Sequence, residues 1–350
     1  MIQTYLQHNI SEVCNLLQSY AKADKKLLLL CHVNPDGDTI GSAFALKKIY
    51  AFLGGTARCA CTSDAPEYLR FLLDGQDSIE YTENIENNFD IIWAVDVASP
   101  TQLGRLSFLA DQVSLSIDHH ENCTLFSSYC LKPEASATGE LIFAIYKELI
   151  ERGCIEKNAA VCRALYAAIS SDTGSFQYSN TTPETFRIGG ELVETIRDAG
   201  DKGEETASIA HRLHGTRSIQ ELQAQKLVIE RLQLAYRGTL AYVCIPATLP
   251  EENGLSDFDF GGMVDIPRSV TGALVGLSLK ESKTEPGTYK ISARSNCDID
   301  VAAVLSQFGG GGHKRAAGAA VSAATCKEAA DKVVAAFADP IKIYLKEQNT

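Results

Sequence analysis

Apolar positions follow two rhythms along the first half of this chain. In "KLLLLCH" (26–32) four leucines, Leu27 to Leu30, stand without interruption, as in a short strand buried on both faces. "FDIIWAVDVAS" (89–99) repeats the pattern and ends at Asp96, and "DQVSLSIDHH" (111–120) repeats it again and ends at Asp118, His119 and His120. Between and after these runs the spacing turns helical. Residues 10–22 form one predicted helix, with Ser11 as the expected N-cap. "TIGSAFALKKIYAFLG" (39–54) forms another that stops at Gly54-Gly55, and further helices cover about 137–151 and 158–170. "ISSDTGSF" (169–176) then breaks the pattern at Asp172. Strand alternating with helix predicts a parallel α/β sheet.

The second half changes character. Residues 183–236 look helical, and "SIQELQAQKLVIERLQLAY" (218–236) has the spacing of a connecting helix. From Gly238 onward "GTLAYVCIP", "GALVGLSLKE" and "TYKISARSN" read as strands. "DIDVAAVLSQF" reads as a helix, "GGGGHKRAAG" (309–318) follows, and a last helix spans about 326–338. The expected organisation is a first domain over 1–190, a helical linker over 191–237 and a smaller α/β domain over 238–345.

Composition narrows the picture. The chain has 350 residues, 45% of them hydrophobic, enough for a substantial core in one large or two medium domains. Its net charge of -12 argues against wrapping long nucleic acid, which needs a basic track for many phosphate contacts. A small anionic ligand in a local site is still allowed. The 11 cysteines are odd in number and scattered, with no CxxC pair, so reduced thiols are expected. The start "MIQTYLQHNISEVC" lacks the order of a signal peptide, and no run reaches membrane-spanning length. A cytoplasmic location without membrane contact is expected.

Candidate chemistry gathers at the strand ends. In parallel sheets ligands bind beyond the carboxyl edge. His32, Asp36 and Asp38 stand there in "CHVNPDGDTIGS", as do Asp96, Asp118, His119 and His120. A lone aspartate in such a place is most often a helix cap or a turn residue. Yet the chain has only 7 histidines, and three fall inside these strand-end motifs. Carboxylates crowded on one rim repel unless a cation joins them. Oxygen ligands with one or two imidazoles suit Mn²⁺ or Mg²⁺, and also Fe²⁺ or Co²⁺. His8, His211 and His214 have no comparable setting.

Together "HVNPDGDTIGS", "VDVAS", "IDHH" and "SDTG" resemble the four motifs of the DHH phosphoesterase family, and "FGGGGHKRAAG" resembles the signature of its DHHA1 companion domain. The match runs in order through nearly the whole chain, and Thr39 departs mildly from the family's alanine or serine. The resemblance implies two α/β domains facing each other across a cleft, a parallel-sheet DHH domain and a smaller DHHA1 domain. It implies one Mn²⁺ held by His32, Asp36 and Asp96, and a second held by Asp38, Asp96, His119 and Asp172. Asp118 then orients a neighbouring histidine, and His120 contacts or protonates the phosphate.

In the second domain, successive glycines let backbone N–H groups approach a phosphate closely. Gly310, Gly311 and Gly312 are therefore candidate substrate contacts. His313 adds a donor, and Arg294 can form a bidentate contact. Lys314 and Arg315 are as well explained as solvated surface charges. The implied substrates are short oligonucleotides of two to five nucleotides, pApA, cyclic di-AMP or 3′-phosphoadenosine 5′-phosphate. A homodimer is an open expectation. A RecJ-type processive nuclease would need an additional OB-fold domain for which the chain has no room. A family II pyrophosphatase would lack the glycine motif. An inactive nucleotide sensor would have lost a metal ligand, and none of the expected ones is missing.

Overall fold

A computed structural model describes residues 5–73, 88–200 and 205–348. These divide into two compact units, residues 1–216 and 217–350. Residues 191–237, expected as a linker, are thus shared between the units.

The first unit contains strands β1 (Lys26–Leu30), β2 (Thr56–Ala60), β3 (Ile91–Val95), β4 (Val113–Asp118) and β5 (Ser128–Leu131). They pair in parallel in the order β2-β1-β3-β4-β5. Helices α1 (Ile10–Lys22), α2 (Gly37–Phe52), α3 (Thr138–Glu151), α4 (Ala159–Asp172), α5 (Pro183–Ala199) and α6 (Thr206–Ala210) complete it, with a π-helical turn at His211–Gly215. The unbroken leucines of β1 have the predicted cause. Leu27 and Leu29 enter the main core with Phe44, Tyr50 and Trp93, while Leu28 and Leu30 meet Leu103, Leu106 and Leu109 on the opposite face. The 3₁₀ segment Pro100–Gln112 supplies those last three leucines. Strand order reverses between β1 and β3, the place where a doubly wound sheet opens a crevice at its carboxyl edge.

The second unit holds α7 (Ile219–Ile229), β6 (Gln233–Ala235), β7 (Leu240–Ile245), α8 (Leu249–Glu252), α9 (Asp265–Arg268), β8 (Val275–Glu281), β9 (Thr288–Ser295), α10 (Val301–Leu305), β10 (Gly311–His313), β11 (Ala316–Ser322), α11 (Cys326–Ala336) and α12 (Ala338–Glu347). Its sheet runs β10-β11-β9-β8-β7-β6, antiparallel except where β7 meets β8. Tyr289, Ile291 and Ala293 of β9 face a core shared with Val301, Val333 and Phe337. The alternate residues Lys290, Ser292 and Arg294 face the other way.

Several expectations are corrected. Asn9, not Ser11, caps α1, because its side chain accepts from Glu12 N while Glu12 returns the bond in a capping box. The predicted connector helix ends at Ile229, and Gln233–Ala235 instead pairs as β6 with β7. The expected break at Asp172 holds, since Asp172 is the last residue of α4 and Thr173 its C-cap. The cysteines are not all reduced: Cys244 on β7 and Cys326 on α11 form a disulfide with Cα atoms 5.9 Å apart. The other nine are free thiols. No helix among the described residues is long and apolar enough to cross a membrane.

Candidate metal centre

Local structure aims each polar side chain at the carboxyl rim. Asp36 is both a helix cap and a candidate ligand. Its Oδ1 accepts from Asp38 N at 3.0 Å and Thr39 N at 3.1 Å, which starts α2. Asp38, the second residue of α2, lies in its first turn and is fully buried. Asp96 follows β3 with φ of 61°, a left-handed conformation uncommon for a residue with a side chain. Asp172 reaches the rim because α2 and α4 cross closely. A Cβ on Gly41 would lie 2.5 Å from Ala164 O, and one on Gly37 would lie 2.6 Å from Ser171 Cβ, so only glycine permits that approach.

The six residues implied as metal ligands come together. His32 Nε2 lies 3.5 Å from Asp36 Oδ1 and 3.5 Å from Asp96 Oδ2. His119 Nε2 lies 3.2 Å from Asp172 Oδ2, 3.8 Å from Asp96 Oδ1 and 3.9 Å from Asp38 Oδ2. Two clusters result, His32–Asp36–Asp96 and Asp38–His119–Asp172, each with candidate ligand atoms within 4.8 Å of one another. The two oxygens of Asp96 face different clusters.

The imidazoles are set up as nitrogen ligands. His32 Nδ1 lies 3.0 Å from Val33 O, and His119 Nδ1 lies 3.1 Å from Ala135 O. A carbonyl accepts only, so each Nδ1 carries the hydrogen. In the neutral ring the Nε2 lone pair then points at the carboxylates.

Asp118 and His120 form a separate pair. Asp118 Oδ1 lies 2.7 Å from His120 Nδ1 and accepts from the backbone N–H groups of His119 at 2.7 Å and His120 at 3.2 Å. Cys123 Sγ lies 3.3 Å from Asp118 Oδ2. A third grouping, Asp96–His119–His120, also falls within ligand distance. In it His120 Nδ1 is 3.7 Å from Asp96 but already bonded to Asp118, which favours orientation over ligation.

Electrostatics say what the cluster lacks. Burial, then the charges of Asp96 and Asp172, pushes the Asp38 carboxyl well above its ordinary range. Burial likewise lifts Asp172 to about 6, aided by Asp36 and Asp96 and opposed by His119. Burial disfavours charge on His32, yet its bonds to Asp36 and Asp96 prevail and hold it up at about 12. His119 rises against burial to about 11, through Asp172, Asp38 and Asp96. The carboxylates thus recruit protons as counter-charge. A divalent cation would replace those protons, and the oxygen-plus-imidazole donor set, without thiolate, fits Mn²⁺ or Mg²⁺ better than a structural zinc site.

The other five candidates lie in the second unit, within one strand neighbourhood. Arg294 on β9 pairs with Ala316 on β11, and Ala316 pairs with His313 on β10. Paired residues share a face, so Arg294 and His313 flank a small alanine on the same side of the sheet. The glycine run is no loose linker. A Cβ on Gly310 would lie 2.4 Å from Gly318 O, and Gly312 has φ of 139° with Ala316 O 2.5 Å from its missing Cβ. Gly311 has open space there. Lys314 and Arg315 make the hairpin turn and pair with Asp298 at 3.6 and 3.0 Å.

Sequence reasoning missed Thr138, Gly139 and Ser42, which surround the buried carboxylates. The available signal was "SATGE" (136–140), a helix start made of small and hydroxyl residues.

Comparison with known proteins identifies the family of both units. Residues 26–169 match the model of the DHH family N-terminal domain, and residues 239–340 match that of the DHHA1 domain. The chain is 28% identical over 316 residues to the bifunctional oligoribonuclease and PAP phosphatase NrnA of Thermus thermophilus, covering 90% of each chain. It is 23% identical over 296 residues to the protein of that name from Bacillus subtilis, covering 84% of this chain and 89% of the other. An exopolyphosphatase-related protein from Bacteroides fragilis shares the fold, with a TM-score of 0.79 at 21% identity over 97% of this chain and 98% of its own.

Proposed function

From the premise that this chain belongs to the DHH family and carries a DHHA1 domain, we propose that it is a divalent-metal phosphoesterase cleaving short oligonucleotides or dinucleotides to mononucleotides. The observation that carries this reading is the convergence of Asp36, Asp38, Asp96 and Asp172 with two imidazoles already oriented as ligands. Relatives that align over most of their length are named as oligoribonuclease and PAP phosphatase, which supports the substrate class.

In this reading His32, Asp36 and Asp96 would hold one cation, and Asp38, Asp96, His119 and Asp172 a second, with Asp96 common to both. Mn²⁺ is the proposed ion. When bound, such a pair supplies an activated water and charge stabilisation for phosphoester cleavage. Asp118 fixes the His120 ring through Nδ1. Burial opposes charge on His120, but the bond to Asp118 wins and raises its pKa. His120 would then present a protonated Nε2 to a phosphate oxygen and assist the leaving group. Arg294, the Gly310–Gly312 backbone and His313 would hold a terminal phosphate or nucleotide unit. The net charge of -12 argues against a long basic track, so added phosphates would gain few partners.

The test compares kcat/KM with added Mn²⁺ on a dinucleotide RNA, pApA, cyclic di-AMP, 3′-phosphoadenosine 5′-phosphate and a 24-nucleotide RNA. The short substrates should turn over far faster than the long one. Equal kcat/KM for the dinucleotide and the 24-mer would overturn the small-substrate reading.

A further inference from the structure

Thr138, the first residue of α3, touches both carboxylates at the centre of the site. Its hydroxyl donates to Asp96 Oδ1 at 2.9 Å, and its backbone N–H donates to Asp38 Oδ2 at 2.7 Å. Gly139 N donates to the other oxygen of Asp38 at 2.9 Å, and Ser42 Oγ adds a third bond at 3.0 Å. The N-cap residue Ala137 makes no side-chain cap bond. Asp38, from another helix, therefore does the capping and meets the positive end of α3.

We propose that Thr138 is a positioning residue that sets the plane of the Asp96 carboxylate, so that one oxygen serves each metal cluster. The claim rests on the metal-centre reading above. Asp96 Oδ2 faces His32 at 3.5 Å, while Oδ1 faces His119 at 3.8 Å and accepts from Thr138. A carboxylate turns about its Cβ–Cγ bond, and a buried one with no donor on Oδ1 would settle with either cation alone. The hydroxyl bond removes that freedom. The backbone bonds to Asp38 do not depend on the side chain, so the two contacts are separable by mutation.

The test uses T138V, nearly the same shape without the hydroxyl, and T138S, which keeps it. Each full-length protein is stripped with a chelator and titrated with Mn²⁺ by calorimetry, and kcat and KM are measured on a dinucleotide. T138V should bind Mn²⁺ about 10- to 100-fold more weakly and lose kcat at saturating substrate with KM little changed. T138S should stay within a few-fold of wild type. In a D96N background, T138V should cause no further loss of Mn²⁺ affinity, because the hydroxyl acts through Asp96. T138A replaces T138V if the valine variant melts well below the metal-free wild type. Wild-type Mn²⁺ affinity in the hydroxyl-free variant, or an equal loss in T138S, overturns the positioning role alone. A wild-type protein that binds no divalent cation overturns the metal reading and this proposal with it.

Discussion

The two units hold their candidate residues in opposite ways. At the rim of the first, Asp38 and Asp96 are almost wholly buried, and backbone or hydroxyl donors hold both of their carboxylates. At the edge of the second, Gly311, Gly312 and His313 are exposed on a short strand at the end of the sheet order. Buried charge in a low-dielectric setting is strong and costly, so every lone pair needs a partner. An exposed strand with glycines offers backbone donors at little cost and without close geometric control. The difference teaches a division of labour. One unit fixes where charge sits, and the other, under the proposed function, would leave room for a flexible ligand.

The largest effect that would break this contrast is expected at Asp96. D96N removes a charge shared by both clusters, and turnover with saturating Mn²⁺ should fall at least a hundred-fold, by roughly 3 kcal/mol or more in the barrier. Retention of a tenth of wild-type turnover in a steady-state assay would rule out the shared role.

Arg294 probes the other side. R294A should lower kcat/KM about 30- to 1000-fold, the cost of about 2–4 kcal/mol for a lost charge-assisted phosphate contact. Mn²⁺ binding measured by calorimetry should be unchanged. If metal binding vanished while substrate affinity stayed intact, Arg294 would be misplaced.

A smaller effect separates the metal-free from the loaded state by pH. Asp172 is raised to about 6, so the stripped fold holds a proton that the unfolded chain has released, and it loses stability as pH rises from about 4 to 6. His32 and His119 are also raised, to about 12 and about 11. Their stabilisation is complete below about 6.5 and is lost as pH rises toward those values. A cation competes with the same protons and binds better as they leave. The Tm difference between Mn²⁺-loaded and stripped protein should therefore widen from pH 5 to pH 8. A difference that shrinks over that range would contradict the assignment of these groups as ligands.

The smallest effects sharpen the glycine comparison. G310A pushes a methyl into Gly318 O and Ala319 and should destabilise the hairpin by about 1–3 kcal/mol. G311A meets nothing and should leave Tm nearly unchanged. Equal melting of the two variants would show that the run is not shaped by packing.

Much of this protein is legible in its sequence because the relevant signals are local. The unbroken leucines of β1 announce a strand buried on both faces, and alternation in "TYKISARS" announces one buried on a single face. Strand ends carrying His32, Asp96 and His119 locate the rim, since parallel topology gathers carboxyl ends by itself. β2 and β5 escaped notice because "TARCA" and "SYCL" are short edge strands with no apolar run. Tertiary structure alone decided the rest. Thr138 is 100 residues from Asp38 along the chain, and Cys244 is 82 residues from Cys326. Neither pairing leaves a periodic trace. They follow from which helix faces pack, and small residues such as Gly37 and Gly41 set how closely α2 and α4 approach. Residue types and their rhythm determine which groups reach the rim. The packing of distant segments determines which oxygen of each carboxylate meets which donor, because hydrogen-bond geometry depends on distance in space and not on separation along the chain.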